Sequence, residues 1–315
     1  MTSTANLMHS LYSQFGELAG ITIEIHKELI AIAVENQAAT ARVFLQGAQV
    51  CDYARKNQPP ILWLSPLCEY RPGQPLRGGV PICWPWFGAL DKNPQTIKQQ
   101  IKDNNSPAHG LVRDRSWQLL DIQIQDARKT RLLFSLDIIG VEEAPWPYSS
   151  QLQLQVDIGE ALEIQLTISN LDQLPFSFSN ALHTYFHVSD IDKVEVAGLE
   201  NKTYIDAIDN WEQKKQQGPI RVNQEVDRIY QQLDQAISLN DEGLGRTITI
   251  KADGSHSAII WNPWVEKSRT LSCFDELAYQ QMICIETANV LDDFIELQPG
   301  QSHCIGVHIS SRSQR

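Results

Sequence analysis

Hydrophobic residues recur at every second position over long stretches of this chain, and that period constrains the fold more than any other feature. Residues 151–168 carry Leu152, Leu154, Val156 and Ile158, then Leu162, Ile164, Leu166 and Ile168, with Gly159-Glu160 between the runs. Residues 21–34 repeat the pattern with Ile21, Ile23 and Ile25, then Ile30, Ile32 and Val34 after a change of register. Side chains that alternate between two faces belong to a half-buried strand, and a turn between two such runs makes a hairpin. Shorter runs follow at 131–139, 246–250, 258–261 and 304–309, separated by turn residues such as Asp253-Gly254 and Pro299-Gly300. Strands at this spacing, with few helical patterns, predict an all-β chain: a large antiparallel β-sandwich with few short helices. The strand–helix alternation of an α/β fold is not seen.

Two segments resist the pattern. Val222, Val226, Ile229, Tyr230 and Leu233 share one helical face, yet residues 222–233 fit a short strand with irregular flanks equally well. Residues 91–107 are polar, rich in Lys, Gln and Asn, and read as an exposed loop with one turn of helix. Residues 1–20 are expected to form an N-terminal extension and 21–315 a single sandwich domain, because no linker or fixed repeat interrupts the strands. A chain of 315 residues can bury a sizeable core without disulfide or metal staples.

Composition removes several function classes. The formal net charge of −12 argues against a nucleic-acid partner, which needs a basic face to displace counterions. It does not exclude a small anionic ligand, which needs only local positive charge. No window approaches the roughly 18 apolar residues of a membrane span, and residues 1–20 lack the pattern of a signal peptide. Cys51, Cys68, Cys83, Cys273, Cys284 and Cys304 are scattered singly, so neither a zinc ribbon nor a thioredoxin-type site is indicated. Free thiols and missing targeting signals give cytoplasmic placement as the expectation. The sequons Asn104-Asn105-Ser106 and Asn201-Lys202-Thr203 carry little weight without a secretion signal.

Chemistry concentrates in a few stretches where polar and aromatic residues replace simple alternation. Residues 77–88 read Arg77-Gly78-Gly79-Val80-Pro81-Ile82-Cys83-Trp84-Pro85-Trp86-Phe87-Gly88. Glycines permit close backbone approach, prolines stiffen the loop, and three aromatic rings offer pocket walls; a plain loop packed on the core has the same composition. Arg77 before the Gly-Gly pair is the detail that points to an anion, since guanidinium matches phosphate oxygens. His109-Gly110-Leu111-Val112-Arg113 adds a second Arg and a His; one such Arg is usually a solvated surface residue, but two favour an anion site.

In Asn180-Ala181-Leu182-His183-Thr184-Tyr185-Phe186-His187, two histidines lie four apart, as in helical zinc sites. Thr184 replaces the required Glu, and the alternation of residues 176–179 argues for a strand, where residues four apart lie about 13 Å from each other. His187 reads as a structural histidine, and His183 as the better acid–base group, because imidazole titrates near neutral pH. In Gln281-Met282-Ile283-Cys284-Ile285-Glu286-Thr287-Ala288-Asn289, Glu286 follows an apolar run. It either ends a strand facing water or is a buried carboxyl with a raised pKa, suited to general acid–base work. Trp261-Asn262-Pro263-Trp264-Val265-Glu266-Lys267 is a further aromatic stretch, with Glu266 and Lys267 read as an ordinary surface pair.

Together these motifs, in order and spacing across residues 21–309, resemble the hexose-6-phosphate mutarotases, the glucose-6-phosphate 1-epimerase branch of the aldose 1-epimerase (galactose mutarotase-like) family. The resemblance implies a supersandwich fold with the site in a cleft on one sheet. It also implies cofactor-free, metal-free interconversion of the α and β anomers of a hexose 6-phosphate, and a monomer is expected. It makes His183 the acid and Glu286 the base. Arg77 and Arg113 become substrate-binding residues, joined by His109 in a small positive pocket, and Asp206 of Tyr204-Ile205-Asp206 becomes a further substrate ligand. Two departures leave sugar preference open: Ala108 stands where some relatives have Gln, and Cys273-Phe274-Asp275-Glu276-Leu277 replaces an Asp-rich run.

The implied chemistry suits the residue types. Opening a cyclic hemiacetal removes the proton of the anomeric hydroxyl and adds one to the ring oxygen, here by Glu286 and charged His183. Two other readings compete: a mutarotase for unphosphorylated aldoses, which has little use for two arginines, and a non-catalytic sugar-phosphate sensor, which needs neither acid nor base. A two-carboxylate glycosidase is disfavoured because no second carboxylate occupies a comparable motif.

Overall fold

Two eight-stranded antiparallel sheets dominate the computed structural model, which describes residues 4–102, 106–140 and 145–314. One sheet runs in spatial order Val194–Ala197, Ile237–Asp241, Arg246–Asp253, Ser302–Ser313, Ala161–Asn170, Ser150–Ile158, Lys129–Ile138 and Gln118–Asp126. The hairpin expected at 151–168 is here, with Leu154 opposite Leu166 and Val156 opposite Ile164. Leu162, Ile164, Leu166 and Ile168 are buried while the residues between them are not, which is the face alternation of the sequence. Burying each such side chain stabilises the fold by about 1.5–3 kcal/mol.

The second sheet is ordered Glu212–Lys215, Thr203–Asp206, Val226–Tyr230, Ser257–Asn262, Met282–Asn289, Asn180–Leu182 and Ile82–Cys83, with Tyr185–His187 also paired to Met282–Asn289. Apolar residues of both sheets join one buried cluster, in which Ile283 and Ile285 share a core with Leu162, Ile164 and Leu166 of the long hairpin. Ile21–His26, Leu29–Glu35, Ala39–Phe44 and Gln49–Arg55 form a separate four-stranded meander. The architecture is the antiparallel β-sandwich that the alternation predicts.

The ambiguous segment 222–233 is a strand, Val226–Tyr230. It is hydrogen-bonded on both edges, to Thr203–Asp206 and to Ser257–Asn262, and that two-sided pairing overrides its helical spacing. Residues 4–15 form a helix where the sequence predicts only an extension: Leu11 and Phe15 enter the core, and the Tyr12 hydroxyl donates to the Ile23 carbonyl at 2.5 Å. Within 91–107 the expected turn of helix is Gln95–Lys98, but Ile97 is fully buried and Asn93 nearly so, giving that loop an inward side. The sequon position Asn104-Asn105 lies outside the described residues. No helix among the described residues is long and apolar enough to cross a membrane.

Strand register positions the site. Asp227 pairs with Trp261 and Trp261 with Cys284, while Tyr185 meets Cys284 from the other side. The neighbouring row joins Ile229, Ile259 and Glu286. Because side chains alternate, these two rows share one face of the sheet, and that face is the floor of a cavity.

Candidate active site

Three separated motifs are laced together by backbone hydrogen bonds before any side chain acts. The His183 amide donates to the Pro81 carbonyl at 3.0 Å and the Tyr185 amide to that of Gly79 at 2.9 Å. The His109 amide donates to Gly88 at 2.9 Å, and Leu111 to Trp84 at 2.8 Å. Such close approach requires glycine. A Cβ on Gly110 (φ 76°) lies 2.0 Å from the Trp84 carbonyl oxygen, and one on Gly79 (φ 63°) lies 2.2 Å from that of Val50.

The cavity so formed has a volume of about 450 Å³. Arg77, Phe87, His109, Arg113, His183, Tyr185, Asp227, Trp261, Lys267 and Glu286 all line it, together with Ala108. A larger open groove of about 840 Å³ lies over the N-terminal meander, but four of its charged groups already pair, Arg42 with Asp52 and Lys56 with Glu35.

His183 and Glu286 are the innermost pair. Pairing of Leu182 with Thr287 puts the next residue, His183, beside Glu286, and His183 Nδ1 lies 3.5 Å from Glu286 Oε1. The imidazole stacks on Tyr185 at 4.8 Å with the rings 8° apart. Glu286 is 1% exposed and His183 7%. His183 Nδ1 and Glu286 Oε2 make no hydrogen bond among the described residues. Burial drives both toward their neutral forms. It raises the Glu286 pKa well above the carboxylate range, with a smaller push from Asp227. It lowers the His183 pKa well below the imidazole range, aided by His109, Arg113 and Arg77. Both directions favour neutral side chains in this cavity, so the charged His183 expected from sequence has to arise when substrate is bound.

Arg77 and Arg113 both reach the cavity, and each guanidinium is steadied by neutral oxygens. Arg77 Nε donates to the Ser272 carbonyl at 2.7 Å, and Arg113 Nη2 to the Ala108 carbonyl at 2.9 Å. Neither forms an ion pair with a carboxylate among the described residues, so their charge faces the cavity uncompensated. His109 is in place but contributes no positive charge. Burial, then Arg113 and Arg77, push its pKa down to about 3, and its Nδ1 accepts from the Gly88 amide at 3.4 Å.

Asp206 is not brought into the site. It is absent from the cavity lining, and its carboxylate is held by Lys214 Nζ at 2.9 Å and by the Ile208 amide at 3.2 Å. The carboxylate that does line the cavity is Asp227, one strand over, whose pKa burial raises to about 6. A second carboxylate is thus present although no sequence motif marks it. The signal lies in the ambiguous segment: as a strand, it puts Asp227 and Ile229 on one face. Lys267 is not the partner of Glu266 that sequence adjacency suggests. Glu266 pairs with Arg269 at 3.1 Å, and Lys267 lines the cavity with Glu225 at 2.8 Å. Of the three aromatics in residues 77–88, Phe87 alone lines the cavity, while Trp84 and Trp86 are wholly buried. His187, read as structural, stays outside the lining.

A β-sandwich whose sheet face carries a buried His–Glu pair inside a sugar-sized cavity has clear relatives. The family model for aldose 1-epimerase matches residues 31–310, and the chain belongs to that family. It is an isomerase by that membership. It is 31% identical over 300 residues to a Cenchrus ciliaris protein provisionally named glucose-6-phosphate 1-epimerase, covering 92% of this chain and 86% of that one. A similarly named Escherichia coli protein is 30% identical over 262 residues, with 83% of each chain covered. A solved Salmonella typhimurium structure, provisionally named a mutarotase (YeaD), superposes with a TM-score of 0.85 at 25% identity, over 98% of this chain and 100% of that one.

Proposed function

We propose that this enzyme interconverts the α and β anomers of a hexose 6-phosphate, with glucose 6-phosphate as the first substrate to test. The observation that carries the substrate class is the pair of guanidinium groups, Arg77 and Arg113, which enter the cavity of His183 and Glu286 without a carboxylate partner among the described residues. A neutral sugar leaves that half-buried charge unanswered, whereas a phosphate dianion neutralises it. Relatives bearing the name glucose-6-phosphate 1-epimerase support the same substrate.

In this reading Glu286 takes the proton of the anomeric hydroxyl and His183 gives one to the ring oxygen. The C5–O5–C1 ring opens to an aldehyde, rotation about C1–C2 exposes the other carbonyl face, and the steps reverse. The pair needs one proton between its two groups. Substrate puts that proton on His183, because the phosphate cancels the Arg77 and Arg113 charges that oppose a charged imidazole. Sugar hydroxyls donating to Glu286 favour the carboxylate as well. Asp227 and Lys267, which line the same cavity, are the ring-hydroxyl ligands in this reading. Acid and base each supply about 10²–10⁴-fold, enough for a reaction that already proceeds slowly in water.

The same reading makes residues 21–315 one domain acting as a monomer, with residues 4–15 docked on it. The buried cluster runs from Leu11 to Ile309, which supports a single domain. Six unpaired cysteines suit a reducing, cytoplasmic setting. Saturation-transfer NMR on the two anomers of glucose 6-phosphate tests the function. Exchange accelerated on the phosphorylated sugar and far less on glucose supports it; equal acceleration on both sugars refutes the role of the arginines.

A further inference from the structure

Acid–base chemistry uses His183 and Glu286 but gives no work to the thiol beside them. Cys284 lies two residues before Glu286 on the same sheet face, between its cross-strand neighbours Tyr185 and Trp261. A ligand atom from each of His183, Cys284 and Glu286 lies within 4.8 Å of the other two, and all three residues are buried. Two donor atoms in this cluster are orphaned: His183 Nδ1 and Glu286 Oε2 are buried with no hydrogen-bond partner among the described residues. An imidazole nitrogen, a thiol sulfur and a carboxyl oxygen thus lie close together, and two of the three side chains carry an orphaned atom.

We propose that His183, Cys284 and Glu286 form a binding site for a thiophilic divalent cation, Zn²⁺ above all, and that the bound ion inhibits the enzyme by occupying its acid and base. The donor set matches zinc's own preferences: one N, one S and one O ligand, with a fourth position left for water. Metal–ligand bonds of about 2.0–2.3 Å require the three groups to close in by roughly 1 Å from their present spread, within reach of side-chain rotation. As the metal–sulfur and metal–oxygen bonds form, the Cys284 thiol and the Glu286 carboxyl each release a proton to solvent and bind as thiolate and carboxylate; no electrons change hands. Thiolate and carboxylate cancel the ion's two charges, so the occupied site adds no net charge beside Arg77 and Arg113. Mg²⁺ and Ca²⁺, which prefer all-oxygen ligands, are excluded by the sulfur.

The test uses the full chain with exposed Cys304 and half-buried Cys273 replaced by Ser, which removes the more accessible thiols. Calorimetry with Zn²⁺ is expected to show one equivalent bound, and Co²⁺ to give a thiolate-to-metal charge-transfer band. Zn²⁺ is expected to inhibit anomer exchange, with glucose 6-phosphate protecting. Cys284→Ala should lose the Co²⁺ band and weaken Zn²⁺ binding at least about tenfold, the lower bound for disturbing a metal's ligand surroundings. If the Ala variant does not fold, Cys284→Ser gives the same readouts with volume nearly conserved. Equal Zn²⁺ affinity with and without the thiol, a Co²⁺ complex lacking the thiolate band, or Mg²⁺ inhibiting as strongly as Zn²⁺ overturns the proposal. The inhibitory half rests on the acid–base reading above. Calorimetry and the Co²⁺ spectrum do not involve turnover, so failure of one is distinguishable from failure of the other.

Discussion

Replacing Glu286 with Gln is expected to inactivate the enzyme and stabilise it in the same stroke. The Glu286 side chain is 1% exposed, and its Oε1 reaches only as far as His183 Nδ1 at 3.5 Å. Burial raises its pKa well above the ordinary 4.5. Between the ordinary and the raised value the folded chain holds a proton that the unfolded chain has lost, so stability falls as pH rises through that interval. For one proton the slope is at most about 1.4 kcal/mol per pH unit. Gln carries no such proton, and its variant lacks the slope. His183, neutral in the fold, contributes alike to both proteins and cancels in the difference. The stability advantage of Glu286→Gln should therefore widen by up to about 1.4 kcal/mol per unit until the raised pKa is passed. In a chain of this size 1 kcal/mol moves Tm by roughly 2 °C. Scanning calorimetry of both proteins at about pH 5 and about pH 7 reads the difference. Anomer exchange measured in parallel should fall by about 10²–10⁴ in kcat, or roughly 3–5 kcal/mol of barrier. A Tm gap that does not change with pH refutes the protonated carboxyl, and turnover within about tenfold of the parent refutes its place in the chemistry.

Arg77→Ala and Arg113→Ala should each raise KM for glucose 6-phosphate about 10- to 100-fold, the worth of one charged hydrogen bond, and leave KM for glucose nearly unchanged; initial-rate kinetics on both sugars decides it. Asp227→Asn is expected to lower kcat/KM, whereas Asp206→Asn leaves it intact and costs under about 1 kcal/mol of stability, since the Lys214 pair is partly solvated. Equal kinetic damage from the two variants contradicts the cavity assignment. The acid limb of the kcat/KM profile should lie below His183's ordinary 6.5. Arg113→Gln should move it to higher pH, because one charge opposing the imidazolium is gone. A limb that stays fixed or moves downward contradicts the coupling.

Strand-by-strand structure is legible in the chain because its cause is local. Alternation at 151–168 and 21–34 names both hairpins, since burying one face of a sheet needs nothing beyond neighbouring residues. Arg77, Arg113, His183 and Glu286 are legible too, each standing out where polar residues break an apolar or glycine-rich run. The errors share a different cause. The resemblance points to Asp206, which Lys214 holds, whereas the pairing of Val226–Tyr230 with Ser257–Asn262 aims Asp227 into the cavity. Lys267 stands next to Glu266 in the chain, but a short helix, Trp264–Ser268, turns the two to different partners.

Sequence by itself determined the β class, the hairpins and the candidate acid, base and two arginines. Tertiary structure alone decided that Asp227 lines the cavity with them, that burial drives His109, His183 and Glu286 toward their neutral forms, and that Cys284 lies within reach of the pair. Each of those depends on burial and on register between strands far apart in the chain. A local pattern does not encode such distances, because desolvation and charge act through space rather than along the backbone.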